Sequence, residues 1–293
     1  MAELRNAAMI GLGIMGGAIA RNLIAAGFSL SGYDVDAGKM EELSRDGVRS
    51  ANSAAGAVGG AAIALTSLPS VEALDATVAE FVAHPQPGLI VVEISTFPIE
   101  AKEAARDRLG GAGMTLLDCP LSGTGAQAVT KDLAVYASGD EGAFGQCRAV
   151  FDGFARATHY LGAFGNGSRM KFVANLLVAV HNVAAAEAIV LGTKAGLDPA
   201  RVLEVIGSGA GTSRIFELRG PMMAKGVYTP PTATMHVLEK DSFIIAEFAR
   251  SLGVSTPTLD AAAPLYGEAE KAGYAQEDVA AVHAVLARRA GLT

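Results

Sequence analysis

The chain has 293 residues, of which 51% are hydrophobic and 18% charged, and its formal net charge is -7. That length predicts two domains, the balance excludes a disordered polypeptide, and an acidic chain without a basic run excludes a nucleic-acid surface or an anchor on anionic lipid. Two cysteines, Cys119 and Cys147, cannot form a disulfide framework and lack metal-ligand spacing, so a cytoplasmic protein is expected.

Met1 to Arg5 runs straight into an apolar stretch, with no charged n-region and h-region, so no export signal is expected. Ala7-Ala8-Met9-Ile10 predicts a strand, Gly11-Leu12-Gly13-Ile14-Met15-Gly16 a tight turn, and Ala18 to Leu23 the start of a helix. In such a turn the first glycine permits the bend, the second lets backbone approach a pyrophosphate, and the third lets helix pack on strand. A second strand, Leu30 to Tyr33, ends at Asp34, 18 residues past Gly16, where a carboxylate can accept from a ribose hydroxyl. Asp34 would repel a 2′-phosphate and no arginine follows in Val35-Asp36-Ala37-Gly38, so NAD is expected rather than NADP. The competing reading makes Asp34 the cap of the next helix.

Strands then alternate with helices: Ile63 to Leu65, Leu89 to Val92, Met114 to Leu117 and Ala134 to Ala137, with Val71 to Phe81 a helix among them. The alternation predicts one doubly wound parallel sheet, with ligands beyond the carboxyl ends of its strands. The residues there are Thr66 to Ser70, including Leu68 and Pro69, then Ser95-Thr96, then Ser122-Gly123-Thr124.

After Leu161 the pattern is helical only, which predicts domains 1–164 and 165–293. On the stretch Ser168 to Leu191, Lys171, Asn175, Val178 and Asn182 fall on one face while the other faces are apolar, so protein is expected to wrap most of this helix. It is long enough to span a bilayer, but Asn175, His181, Asn182 and Glu187 would be costly in hydrocarbon. The two remaining readings are a site along the polar stripe and a plain core helix with Lys171 snorkelling. Asp198-Pro199 opens another helix, and Thr234 to Leu252, carrying Lys240 and Asp241, Pro257 to Ala272 and Gln276 to Ala290 complete an all-helical second half.

These motifs together resemble the β-hydroxyacid dehydrogenases. The glycine signature runs through Asn22-Leu23. A second motif is Ser95-Thr96 with Pro98, and the substrate motif is Asp118-Cys119-Pro120-Leu121-Ser122-Gly123-Thr124. The catalytic motif is Gly165-Asn166-Gly167-Ser168-Arg169-Met170-Lys171-Phe172-Val173-Ala174-Asn175, and Lys240-Asp241 follows. Departures are Ile19 in the glycine signature, Ala174 for a common asparagine, and Thr124 and Lys131 for usual glycines.

The resemblance implies an α/β fold, an N-terminal Rossmann doubly wound parallel sheet joined by a long helix to an all-α C-terminal domain. It implies Lys171 as the acid/base at the substrate hydroxyl and Asn175 as its orienting partner or a substrate ligand. Ser122, Gly123 and Thr124 would hold the substrate carboxylate, and Thr96 and Lys240 would face the nicotinamide. The expected activity is hydride transfer between NAD and the hydroxyl carbon of a small 3-hydroxy acid in a homodimer or homotetramer. Ser213, Phe216, Arg219 and Pro221, with His181-Asn182, look more like the L-threonate branch than the 3-hydroxyisobutyrate branch. Arg219 could bind a substrate oxygen, or pair with Glu217 or a carbonyl on the surface. The alternatives are an NADPH-dependent semialdehyde or imine reductase, and an NAD-binding module without turnover.

Overall fold

The computed structural model describes residues 5–292, and the chain divides into two compact units, 1–171 and 172–293. In the first, β1 (Asn6–Ile10), α1 (Ile14–Ala25), β2 (Ser29–Tyr33), α2 (Ala37–Arg45), β3 (Arg49–Ser50), α3 (Ala54–Val58), β4 (Ile63–Thr66), α4 (Val71–Ala83), β5 (Ile90–Glu93), α5 (Ile99–Gly111) and β6 (Thr115–Asp118) alternate as the sequence predicts. Their sheet is parallel in the order β3-β2-β1-β4-β5-β6. The order reverses between β1 and β4, and an open sheet of this kind offers its ligand crevice at that point.

Both faces of the sheet are covered, which is why its strands read as continuous apolar runs. Along β1, Ala7 and Met9 enter one core with α1, while Ala8 and Ile10 enter another with Leu74 and Val78 of α4. The alternation along β4 is the same, Ile63 and Leu65 to one side and Ala64 to the other.

One strand does not join the sheet it was expected to join. After β7 (Leu121–Ser122) and α6 (Gly125–Val129), β8 (Ala134–Ala137) pairs antiparallel with β7, and beyond α7 (Glu141–Phe154) it pairs parallel with β9 (Ala157–Tyr160). These three form a separate small sheet. Local pattern cannot make this distinction, because a buried apolar run looks alike in either sheet.

The long helix α8 (Asn166–Lys194) carries the chain from the first unit into the second. The second unit adds α9 (Pro199–Gly207), α10 (Arg214–Lys225), α11 (Met235–Ser251), α12 (Pro257–Ala269), short turns at Glu270–Tyr274 and Val279–Ala281, and α13 (Val282–Arg289). Asp198 caps α9 by accepting from the Ala200 amide at 3.1 Å, with Pro199 in the first turn, as the sequence predicts.

Two expectations about α8 need correction. Val173, Leu177 and Leu191 are exposed, at 59%, 50% and 72%, so this chain by itself does not wrap the helix on most sides. Asn182 is no part of a wet stripe: it is buried, with its amide on the Val279 carbonyl at 2.9 Å.

Candidate active site

The glycine loop shows what each glycine is for. Gly11 has φ +86, and a Cβ on it would lie 2.1 Å from the Ser67 carbonyl oxygen. A Cβ on Gly16 would lie 1.9 Å from the Gly11 carbonyl oxygen, so helix could not pack on strand. Gly13 is different: nothing lies within 4 Å of its Cβ position. Open backbone at Gly13 also caps α1, whose first turn carries no acidic residue and whose cap makes no side-chain hydrogen bond. Unpaired amides at a helix start favour an anion, so the loop fits a pyrophosphate.

Asp34 stands at the end of β2 and accepts from the Leu12 amide at 2.7 Å and the Asp36 amide at 2.9 Å. It does not cap the next helix; Asp36 does, by accepting from Gly38. Lys39 places its amine 4.0 Å from both Asp34 and Asp36, a positive charge that the reading of residues 35–38 leaves out. The next two loops are joined to each other, since Ser95 Oγ accepts from the Leu68 amide at 2.8 Å. That bond brings Leu68, Pro69 and Thr96 to the same edge of the sheet.

Gly123 has φ +139, and a Cβ there would meet Leu133 at 2.5 Å, so the bend after Ser122 requires glycine. Thr124 is the N-cap of α6 in a full capping box: its hydroxyl accepts from the Gln127 amide at 3.4 Å, and its own amide donates to Gln127 Oε1 at 3.0 Å. The amide and the hydroxyl of Thr124 therefore already have protein partners. Lys131 holds φ 60, the left-handed region, where a glycine would be unstrained.

Lys171 is half-buried on the second turn of α8 and donates from Nζ to the Leu121 carbonyl at 2.5 Å. The helix start that carries it is tightly seated. A Cβ on Gly167 would lie 2.3 Å from the Tyr136 carbonyl oxygen, and Gly167 donates its amide to Ser138 Oγ at 2.9 Å. Ser168 donates both its amide and its hydroxyl to Asp118, each at 2.8 Å.

Asp118 belongs to a buried ionic group that the sequence reading does not single out. Lys102 Nζ lies 2.8 Å from Asp118 Oδ1, 2.6 Å from Glu93 Oε2 and 2.7 Å from the Ser95 carbonyl. All three side chains are at most 1% exposed. Burial alone would pull the Lys102 ammonium down, but Asp118 and Glu93 outweigh it and hold its pKa above the ordinary lysine value. Burial raises the Glu93 carboxyl, and Lys102 only partly offsets it. The signal in the sequence was a charge closing an apolar run, Glu93 after Ile90 to Val92 and Asp118 after Leu116-Leu117.

In the second unit, Asn175 Nδ2 donates to Asp241 Oδ2 and Lys240 Nζ to Asp241 Oδ1, both at 2.8 Å. Asp241, 3% exposed, thus holds two predicted site residues; the sequence reading names it beside Lys240 without giving it a role. Asn175 lies one turn beyond Lys171 on α8. Arg219 is neither at the surface nor paired with Glu217. It is 3% exposed with Nε 3.2 Å from Asp278 Oδ1, while Glu217 pairs with Arg214.

Residues 6–162 match the family model described as the NAD binding domain of 6-phosphogluconate dehydrogenase. Residues 165–286 match the model described as NAD-binding of NADP-dependent 3-hydroxyisobutyrate dehydrogenase. An L-threonate dehydrogenase of Cupriavidus necator is 33% identical over 95% of this chain and 95% of its own. An NAD-dependent L-serine dehydrogenase of Pseudomonas aeruginosa is 32% identical, over 95% of this chain and 97% of its own. The crystal structure of a 3-hydroxyisobutyrate dehydrogenase from Salmonella typhimurium superposes with a TM-score of 0.89 at 29% identity, covering 96% of this chain and 99% of that one.

Proposed function

Because this chain belongs to the β-hydroxyacid dehydrogenase family, whose members act with NAD(P) on small hydroxy acids, we propose that it uses NAD, oxidises a small acid of the L-threonate or 3-hydroxyisobutyrate type, and relies on Lys171 as its acid/base. The observation that carries this reading is the Lys171 amine on the Leu121 carbonyl at 2.5 Å. It puts a proton-carrying group against the strand that continues into Ser122 and Gly123, the residues assigned to the substrate carboxylate.

The amides around Gly13 would hold the dinucleotide's pyrophosphate, and Asp34 would accept from its ribose. Leu68, Pro69 and Thr96 would line the approach to the nicotinamide, the group to which the resemblance also assigns Lys240. When bound, NAD supplies the acceptor for the hydride that leaves the hydroxyl-bearing carbon. Lys171 takes the hydroxyl proton as that carbon becomes a carbonyl, and returns it in the reverse direction. Asn175, steadied by Asp241, sits one turn away to orient the lysine or bind substrate. Such acid/base help is worth ~10²–10⁴ in rate.

Support for NAD comes from the Asp34 carboxylate, which repels a 2′-phosphate; the ratio of kcat/KM with NADH and NADPH tests it. The exposed Val173, Leu177 and Leu191 on α8 support a second copy as their cover, which light scattering after gel filtration tests. The decisive experiment assays L-threonate, 3-hydroxyisobutyrate and L-serine with NAD for wild type and Lys171→Ala. The variant is expected to bind NADH normally and lose turnover by ~10²–10⁴. A variant with wild-type kcat would overturn the assignment.

A further inference from the structure

A lysine and two carboxyl side chains buried together stabilise little, because replacing such a group with apolar residues often costs nothing. What the group around Lys102 does have is connections. Lys102 comes from α5, Glu93 from the end of β5 and Asp118 from the end of β6. Glu93 Oε1 accepts from the Ser95 amide at 2.8 Å, and Lys102 donates to the Ser95 carbonyl at 2.7 Å, so both backbone polar groups of Ser95 are held.

The other arm reaches α8. The first amides of a helix have no partner within it. Here Asp118, from a strand fifty residues earlier, accepts from the third, that of Ser168, and from the Ser168 hydroxyl, each at 2.8 Å. A carboxylate at a helix start is also favoured by the helix dipole. Three residues beyond Ser168, the Lys171 amine returns to Leu121, three residues beyond Asp118. The helix start and its amine are thus fixed to the two ends of one short stretch, 118–121.

We propose that Asp118, held by Lys102, which also binds Glu93, is a positioning residue that caps α8 through Ser168 and so sets where the Lys171 amine stands against Leu121, next to Ser122. The same cluster holds the Ser95–Thr96 loop, so the proton-carrying group and a cofactor-side loop share one buried anchor. This inference rests on Lys171 being the acid/base. It assigns no contact with substrate to Asp118, Lys102 or Glu93.

The test compares wild type with Ser168→Ala, Ser168→Thr, Asp118→Asn and Lys171→Ala. The readouts are NADH affinity by fluorescence, kcat per NADH-binding site with the hydroxy acid the wild type oxidises, KM, and amide hydrogen exchange. Displacing a catalytic group by about 1 Å can cost ~10²-fold in rate, so Asp118→Asn is expected to lose about that factor in kcat and Ser168→Ala roughly tenfold. NADH affinity and KM stay unchanged, exchange quickens over residues 166–171 and not across the sheet, and Ser168→Thr, which keeps the hydroxyl, recovers most of the rate.

Unchanged kcat per site in both Ser168→Ala and Asp118→Asn, beside an inactive Lys171→Ala, would overturn the proposal and leave the acid/base reading standing. So would a joint loss of NADH affinity and of exchange protection throughout the first unit, which marks general destabilisation. If Asp118→Asn does not fold, Ser168→Ala and Ser168→Thr decide. Should Lys171→Ala stay active, the acid/base reading falls, and the exchange pattern still decides whether Asp118 caps the helix.

Discussion

The Leu12 amide donates to Asp34 Oδ2 at 2.7 Å, so the carboxylate at the end of β2 also builds the loop on which the dinucleotide would lie. Two substitutions separate these roles. Asp34→Asn keeps an acceptor for Leu12 and removes the charge, and should narrow the preference for NADH over NADPH with little loss of NADH affinity. Asp34→Ala leaves the Leu12 amide without its partner and should weaken both cofactors by ~1–3 kcal/mol. Lys39, 4.0 Å from Asp34, softens the repulsion, so Lys39→Ala should lower NADPH affinity further. Dissociation constants for both cofactors check all three, and an unchanged ratio in Asp34→Asn would count against Asp34 as the selector.

Gly13 and Gly16 should respond in opposite ways to alanine. Nothing lies within 4 Å of a Cβ at Gly13, so Gly13→Ala should melt like the wild type yet bind NADH poorly, because the methyl fills the space over the loop. A Cβ at Gly16 meets the Gly11 carbonyl oxygen at 1.9 Å, so Gly16→Ala should lose ~1–3 kcal/mol of stability from overpacking. Thermal melts beside NADH titrations check the contrast. Equal losses of stability in the two variants would remove the case for Gly13 as the open position.

This contrast marks what could be read from the sequence. The glycine turn, the strands of the first half and the helices of the second were legible because each depends on residues within a turn or two of one another. The missed features depend on partners far apart in the chain. Lys102 and Asp118 are 16 residues apart, Ser168 and Asp118 50, Asn175 and Asp241 66. Strand β8 was legible as a strand, but its partners Leu121 and Ala157 lie on either side of it in sequence and outside the main sheet. Asn182 fell on the same helical face as Lys171, and no periodicity could show that its amide ends on the Val279 carbonyl.

Arg219 should matter for stability and not for substrate. Asp278 accepts from Arg219 Nε at 3.2 Å, from the Thr232 amide at 2.7 Å and hydroxyl at 2.6 Å, and from the Ala280 amide at 2.9 Å. Burial lowers the Arg219 pKa and Asp278 only partly restores it, so the guanidinium depends on this one carboxylate. Asp278→Ala strands that charge and should cost ~3–5 kcal/mol in denaturant unfolding. Arg219→Met should cost less, since Asp278 keeps its remaining donors, and should leave KM for the hydroxy acid unchanged. A raised KM with normal stability would instead restore Arg219 as a substrate ligand.

His283 should shape the acid side of the stability curve. Its Nδ1 lies 3.0 Å from the Tyr228 hydroxyl, and burial holds its pKa below the ordinary imidazole range. Burial also pushes the Tyr228 phenol up to about 12, so the phenol stays neutral and provides no negative charge to favour a protonated ring. As pH falls from about 6.5, the unfolded chain takes up the imidazole proton before the folded one does. The unfolded state then binds more protons, and stability is lost as pH falls toward the depressed folded value. Above about 6.5 the ring is neutral in both states and contributes no slope. His283→Gln removes the titration while keeping a polar group for Tyr228, so its melting temperature should fall less steeply than that of the wild type between about pH 6.5 and 5. Parallel curves for the two proteins over that window would show that the imidazole titrates alike in both states.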